Sequence, residues 1–265
     1  MGDTVSVPDE TLTLLVAGTE VPRIGLGTNR LQDTAEHAAF VRDAIAAGIR
    51  HIDTARLYSG GRSEAAIGAA LASGRPDGVV IATKGGYHDG RPETIAGEIE
   101  ESLRQLRVDR IDLYYLHRVH DGTPIEDSLA AIVRERDRGR IAHIGVSNVD
   151  AAQLARARAV TEIAAVQNHY NLAHREHDDV VDVCAAEGIP FVAYFPLRGE
   201  TAALREVAAR RRATPAQVAL AWLYERSPTT LPIPGTLSIE HVRENLTALE
   251  LKLSDDDLAA LRASG

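Results

Sequence analysis

Four polar residues stand at or just beyond the ends of short apolar runs: Asp53 and Tyr58 in HIDTARLY, Lys84 in VVIATKGG and His117 in DLYYLH. Their types suit one chemistry. A phenol with a pKa of about 10 is a poor acid at neutral pH. A nearby ammonium stabilises the phenolate and lowers that pKa, and a carboxylate beside the ammonium keeps it charged despite burial. A histidine can orient a carbonyl oxygen or share its proton with the tyrosine. The set makes a proton donor aimed at one oxygen atom, as carbonyl reduction by hydride requires. Taken singly, Asp53 reads as a cap for the following helix, Tyr58 as an amphipathic surface residue and His117 as a satisfied core histidine. Lys84 resists such an account, because a buried strand end rarely holds an unpaired ammonium. Of the 29 lysine and arginine residues only Lys84 and Lys252 are lysines. Arginine is effectively never deprotonated, whereas the lysine pKa moves readily on burial.

Residues so far apart in the chain need a scaffold that gathers strand ends. Short β-branched runs supply the strands, at 23–27, 50–54, 79–84, 111–117, 141–147, 164–167, 189–194 and 230–234. Longer Ala/Leu/Arg/Glu stretches with helical periodicity follow most of them, and Gly48, Gly139 and Gly188 each close a helix before the next strand. Eight such units over roughly 240 residues match an α/β fold of the (β/α)₈ TIM-barrel type, one domain over residues 1–265, whose active site gathers at the C-terminal strand ends. The rival is an open doubly wound sheet. Its dinucleotide fingerprint is met only by GLGTNR, which lacks the third glycine and the distant acid. Ahead of the first unit, LTLLVAGTEVPRIGLG reads as a β-hairpin turning at Ala17–Glu20 and closing the barrel bottom.

Composition narrows the partners. The chain has 265 residues, 45% of them hydrophobic and only 4% aromatic, enough for a sizeable aliphatic core. A net charge of −9 disfavours nucleic acid and anionic membranes, and no apolar run is long enough to span a bilayer. The acidic start MGDTVSVPDE has no apolar leader region, and the single cysteine, Cys184, reads as a core thiol. A cytoplasmic protein is expected. Trp222 in PAQVALAWLYE reads as core. HREH at 174–177 places two histidines three apart with no third ligand nearby, so no metal site is expected. No Tyr-x-x-x-Lys occurs, which disfavours short-chain dehydrogenase chemistry.

From GLGTNR through HIDTARLY, IATKGG, DLYYLH, HIGVSN, VQNHYN and VAYFPL to PIPGTLSIEHVRENL, the chain resembles the aldo-keto reductases over essentially its whole length. The resemblance implies a catalytic tetrad of Asp53, Tyr58, Lys84 and His117, with Tyr58 as general acid and His117 orienting the carbonyl. It implies a nicotinamide stacked on Tyr194, its carboxamide held by Ser147, Asn148 and Gln167. Gly27, Thr28 and Asp53 also fall in the cofactor set. The pyrophosphate passes Phe195, Pro196 and Leu197, and the adenosine lies against Ile233, Pro234, Gly235 and Thr236, with His241, Glu244 and Asn245 nearby. The implied state is a monomer acting on a small-molecule carbonyl.

Two departures stand out from the family pattern. Gly235-Thr236 replaces a common Lys-Ser, and His241 stands where an arginine commonly grips the 2′-phosphate. NADPH is expected, with NADH as the alternative. The short loop after FPL and the ending LAALRASG imply an open site with fast cofactor exchange. Arg30, Arg56, Arg118 and His120 are candidate substrate contacts favouring polar or anionic carbonyl compounds. Two other functions fit the same residues: a Schiff-base lyase using Lys84, and a cofactor-sensing subunit with little turnover.

Overall fold

The computed structural model of the protein describes residues 12–263; the acidic opening stretch and the last two residues lie outside the described residues. A hairpin of β1 (Thr13–Val16) and β2 (Thr19–Pro22) comes first, turning at Ala17–Gly18 with both residues at positive φ. Eight parallel strands follow: β3 (Gly25–Gly27), β4 (His51–Asp53), β5 (Val80–Gly85), β6 (Ile111–Leu116), β7 (Ile141–Ser147), β8 (Ala165–His169), β9 (Phe191–Tyr194) and β10 (Thr230–Pro232). They pair in chain order from β3 to β10. The sheet returns on itself where Gly27 N donates to Pro234 O at 3.2 Å and Gly27 bridges Gly235 in parallel. A Cβ on Gly27 would lie 2.7 Å from Ile233 O, so this seam requires glycine. The result is a (β/α)₈ TIM barrel.

Helices fill the crossovers: α1 (Ala35–Ala46), α2 (Arg62–Ala70), α3 (Pro92–Leu106), α4 (Ile125–Asp137), α5 (Ala151–Val160) and α6 (Asp178–Glu187). Two helices, α7 (Ala202–Arg211) and α8 (Pro215–Arg226), separate β9 from β10, and α9 (Ile239–Thr247) and α10 (Asp255–Arg262) complete the wrap. Gly48, Gly139 and Gly188 all have positive φ where helices turn into strands, the conformation that makes glycine the usual helix terminator.

Side-chain alternation divides the strands into two cores. Outward residues such as Ile52, Ile81, Val146 and Val166 pack against helices. Inward residues, among them Val80, Ala82, Leu113, Tyr115, Ala165, Val192 and Leu231, fill the barrel. Val16 and Val21 of the hairpin are fully buried in that interior cluster, so the hairpin plugs the barrel as the sequence implies. Tyr115 fits because the facing position is Gly145, whose Cβ would come within 2.4 Å of its ring.

Candidate active site

The inward alternation that fills the barrel also sets what stands at its mouth. Asp53 pairs in register with Ala82, an interior residue, and Lys84 lies two residues further along β5 on the same face. His117, Ser147, Gln167 and Tyr194 continue the inward faces of their strands in the same way. These six residues are therefore the top layer of the barrel interior.

The tetrad closes around the lysine. Lys84 is fully buried, and its ammonium has three donors. They reach Asp53 Oδ1 at 2.6 Å, Thr54 O at 2.7 Å and Tyr58 Oη at 3.4 Å. An ammonium only donates, so the Tyr58 oxygen accepts from it and the phenol proton is left to point away from the lysine, toward the cavity that Tyr58 lines. Asp53 Oδ2 accepts from Gln167 Nε2 at 2.7 Å, so both carboxylate oxygens are engaged and Asp53 caps no helix. The N-cap of α2 is Gly61.

Burial alone pulls the Lys84 pKa down, but the Asp53 carboxylate and the Tyr58 oxygen outweigh it and the net direction is upward. The lysine is held as an ammonium. Tyr58 departs from the sequence expectation. Lys84 does pull its pKa down, but burial of the phenol is the larger effect and the net shift is upward. The phenol therefore keeps its proton at neutral pH, the form a proton donor needs. His117 is held down to about 3 by burial, with Lys84, Arg118 and His88 adding to the effect. It is neutral, and its buried Nδ1 has no hydrogen-bond partner among the described residues.

Tyr58 rides on a tight turn rather than on a strand. Its N–H donates to Ala55 O at 3.0 Å, and Ser59, Gly60 and Gly61 follow with φ of 52°, 67° and 90°. Two other non-glycine residues at the mouth share this left-handed conformation: Asn148 at 57° and Phe195 at 53°. Such backbone is costly outside glycine and concentrates at functional loops.

A cavity of about 950 Å³ opens over this layer. Of the residues expected in the site it is lined by Gly27, Thr28, Arg30, Asp53, Tyr58, His117, Arg118, Ser147, Asn148, Gln167, Tyr194, Phe195, Pro196, Leu197, Ile233, Pro234 and Gly235. One wall fits a nicotinamide: the half-buried Tyr194 ring offers a flat face beside the hydroxyl and amides of Ser147, Asn148 and Gln167. The Tyr194 hydroxyl donates to Asn148 Oδ1 at 2.7 Å, and Asn148 Nδ2 donates to His117 O at 2.9 Å. These bonds tie the aromatic wall to the end of β6 at His117. Behind Tyr194, His169 lies nearly parallel at 5.4 Å between centroids and stacks in turn on His174 at 3.8 Å.

Other expected residues fall elsewhere. Lys84 sits behind Tyr58 and lines a second cavity of about 220 Å³ with Arg56 and His117. Arg56 does not reach the main cavity, because its guanidinium is drawn to Glu101 at 3.4 Å. Nor does His120, whose Nε2 bonds Gly86 O at 2.8 Å. Thr236, His241, Glu244 and Asn245 lie beyond the cavity lining. Thr236 Oγ1 accepts from Ser238 N at 3.0 Å and contacts His241 Nδ1 at 3.3 Å, while Glu244 accepts from Thr214 Oγ1 at 2.5 Å. Asn245 is buried. Tyr87, Gln153 and Arg198 line the cavity without having been singled out. Their signal was position: Tyr87 and Arg198 lie just past strand ends, where a barrel builds its site. Among the described residues no cluster of three metal-ligating side chains occurs, and no helix is long and apolar enough to cross a membrane.

Comparison with known proteins agrees with this geometry. The model of the Aldo/keto reductase family matches residues 23–202 and 198–265. Pyridoxine 4-dehydrogenase of Escherichia coli is 37% identical, over 94% of this chain and 96% of that protein. A thermostable aldo-keto reductase crystallised with the inhibitor epalrestat superposes with a TM-score of 0.88 at 33% identity, covering 95% of this chain and 99% of that one. An aldo-keto reductase from Klebsiella pneumoniae in complex with NADPH gives 0.85 at 33% identity, covering 95% and 94%.

Proposed function

The chain belongs to the aldo/keto reductase family, and from that premise we propose that it reduces an aldehyde or ketone to the alcohol with NADPH, Tyr58 giving the proton. The observation that carries this reading is the saturation of Lys84. With its three donors on Asp53, Thr54 and Tyr58, the tyrosine proton is left to face the cavity. The Klebsiella relative's complex with NADPH supports the cofactor. The residues suited to hold it are Tyr194 for the nicotinamide, Ser147, Asn148 and Gln167 for its carboxamide, and the Phe195–Leu197 and Ile233–Gly235 segments for the rest.

When bound, the reduced cofactor supplies the hydride that the carbonyl carbon receives. The chain's residues do the remainder. His117, neutral and beside Tyr58, orients the carbonyl oxygen. Tyr58 transfers its proton to that oxygen, which completes the alcohol with one hydride and one proton added. The tyrosinate left behind is stabilised by the Lys84 ammonium, which Asp53 keeps charged, and takes a proton back from solvent. In the reverse direction Tyr58 acts as base. A Schiff-base role for Lys84 needs a free amine, and the upward shift of its pKa weighs against it.

A panel of aldehydes and ketones, pyridoxal included because of the E. coli relative, followed through NADPH absorbance tests the proposal, with Tyr58→Phe as control. Turnover is expected in the wild type and a loss of about 10²-fold or more in the variant. Absence of even single-turnover oxidation of bound NADPH with every carbonyl would favour a cofactor-sensing role. Thr236, His241 and the exposed Arg243 are the groups nearest the start of α9 suited to a 2′-phosphate; faster turnover with NADH than NADPH at equal concentration overturns the cofactor preference.

A further inference from the structure

We propose that Arg118 makes this site selective for carbonyl substrates carrying an oxyanion, a carboxylate or a phosphate. The inference rests on the reading of the cavity as a carbonyl-reducing site. Arg118 follows His117 directly and lines the same cavity. Its guanidinium lies over the Tyr87 ring at 5.5 Å from the centroid, and Tyr87 packs edge-on against His117 at 4.9 Å. A row of three side chains thus holds a cation beside the residue that orients the carbonyl.

Among the described residues no carboxylate neutralises that cation. Elsewhere arginines are drawn into ion pairs, such as Arg56 with Glu101, Arg156 with Glu126 and Arg226 with Asp182. Among the described residues no acid pairs with Arg118, which is exposed at the mouth. Among the described residues that line the cavity the one carboxylate, Asp53, is bonded to Lys84 and Gln167. The other two cations among the described lining residues sit on the segments proposed to hold the cofactor, Arg30 included although the sequence offers it as a substrate contact. Arg30 donates to Gly235 O at 2.5 Å, and Arg198 stacks on Phe195 at 3.7 Å. Arg118 is left for the substrate. In a chain of net charge −9 this mouth is a local reversal of sign, and such a reversal draws anionic ligands from solution. Stacking on an aromatic ring keeps the in-plane N–H donors of a guanidinium available, and their fork matches a carboxylate or phosphate.

The test compares aldehydes that share a ring and differ in charge, with the full chain and NADPH at low ionic strength. They are benzaldehyde, 3- and 4-carboxybenzaldehyde, 4-formylphenyl phosphate and 4-(trimethylammonio)benzaldehyde. The wild type is expected to favour an anionic aldehyde over benzaldehyde by about tenfold in kcat/KM, chiefly through KM, and to disfavour the cationic one. Carboxylate and phosphate arms tell the two oxyanions apart. Arg118→Gln is expected to bring the anionic-to-neutral ratio to within about twofold of one, Arg118→Lys to keep part of it, and added salt to erode it in the wild type. Equal kcat/KM for charged and neutral aldehydes, or a preference that survives Arg118→Gln, overturns the inference while carbonyl reduction stands. If no aldehyde turns over, the reading of the site fails instead. Calorimetric binding of 4-(hydroxymethyl)benzoate then still reports on Arg118: about tenfold weakening by Arg118→Gln upholds the anion grip, and unchanged binding overturns it.

Discussion

At the scale of single residues, the lysine is the pivot. An ammonium is compact, with three donors, and all three are used inside a fully buried pocket. A guanidinium keeps the charge but is planar, larger and carries five donors. Lys84→Arg is therefore expected to abolish most carbonyl reduction while the chain still folds, read as kcat with a circular dichroism spectrum alongside. Near-normal turnover would remove the lysine from the mechanism. Lys84→Met removes the charge and strands Asp53 inside the barrel. Stranding a buried charge costs about 3–5 kcal/mol, so that variant should lower the urea midpoint more than Lys84→Arg does. The sequence exposed this residue through scarcity and position. It did not reveal that burial would raise the Tyr58 pKa, because how deeply a phenol sits depends on the loops folded over it.

At the scale of elements, one short segment presents the site and another plugs the barrel beneath it. The turn at 58–61 presents Tyr58 with three successive residues at positive φ. A Cβ on Gly60 meets nothing within 4 Å, so substitution there isolates the backbone cost. Gly60→Ala is expected to lower stability by about 1 kcal/mol and to reduce kcat as Tyr58 shifts, with little change in Lys84 burial. A variant as active and stable as the wild type would mean that the turn does not hold Tyr58. The hairpin is the second segment. Val21→Ala at its fully buried face removes two methyl groups from the barrel plug and should cost about 2 kcal/mol, seen as a lower denaturation midpoint. An unchanged midpoint would show that β1 and β2 merely rest on the barrel. The hairpin and the strands were legible from alternation and turn residues. The left-handed Phe195 was not, because phenylalanine carries no local preference for positive φ.

At the scale of the whole molecule, buried histidines set the response to acid. His51 lies fully buried on the inward face of β4, and neither ring nitrogen has a partner among the described residues. Burial lowers its pKa from 6.5 to about 4, and His117 falls to about 3. Between about pH 6.5 and those values the unfolded chain takes up protons that the folded chain refuses, so stability is full above 6.5 and falls as pH drops. The His51 shift alone corresponds to about 3 kcal/mol at pH 4. Glu64, raised by burial, works in the opposite direction in this range, so the histidine contribution is isolated by comparison. His51→Leu should flatten the loss of melting temperature between pH 7 and pH 5. An equal loss in that variant would deny the histidine its role.

The sequence by itself determined the barrel, the order of its strands, the gathering of Asp53, Tyr58, Lys84 and His117 at its mouth and most of the cavity wall. Those features follow from local patterns: alternation decides which side chains face inward, and chain order decides which strand ends meet. Only the tertiary structure decided the rest. Arg56 left the cavity because Glu101, on a neighbouring helix, offered it a partner, and His120 turned to a backbone carbonyl of another strand's loop. Arg118 stayed because no acid among the described residues pairs with it and Tyr87 gave its guanidinium a surface. All of these are long-range competitions for one side chain, and their outcome depends on distances that exist only once the barrel has closed.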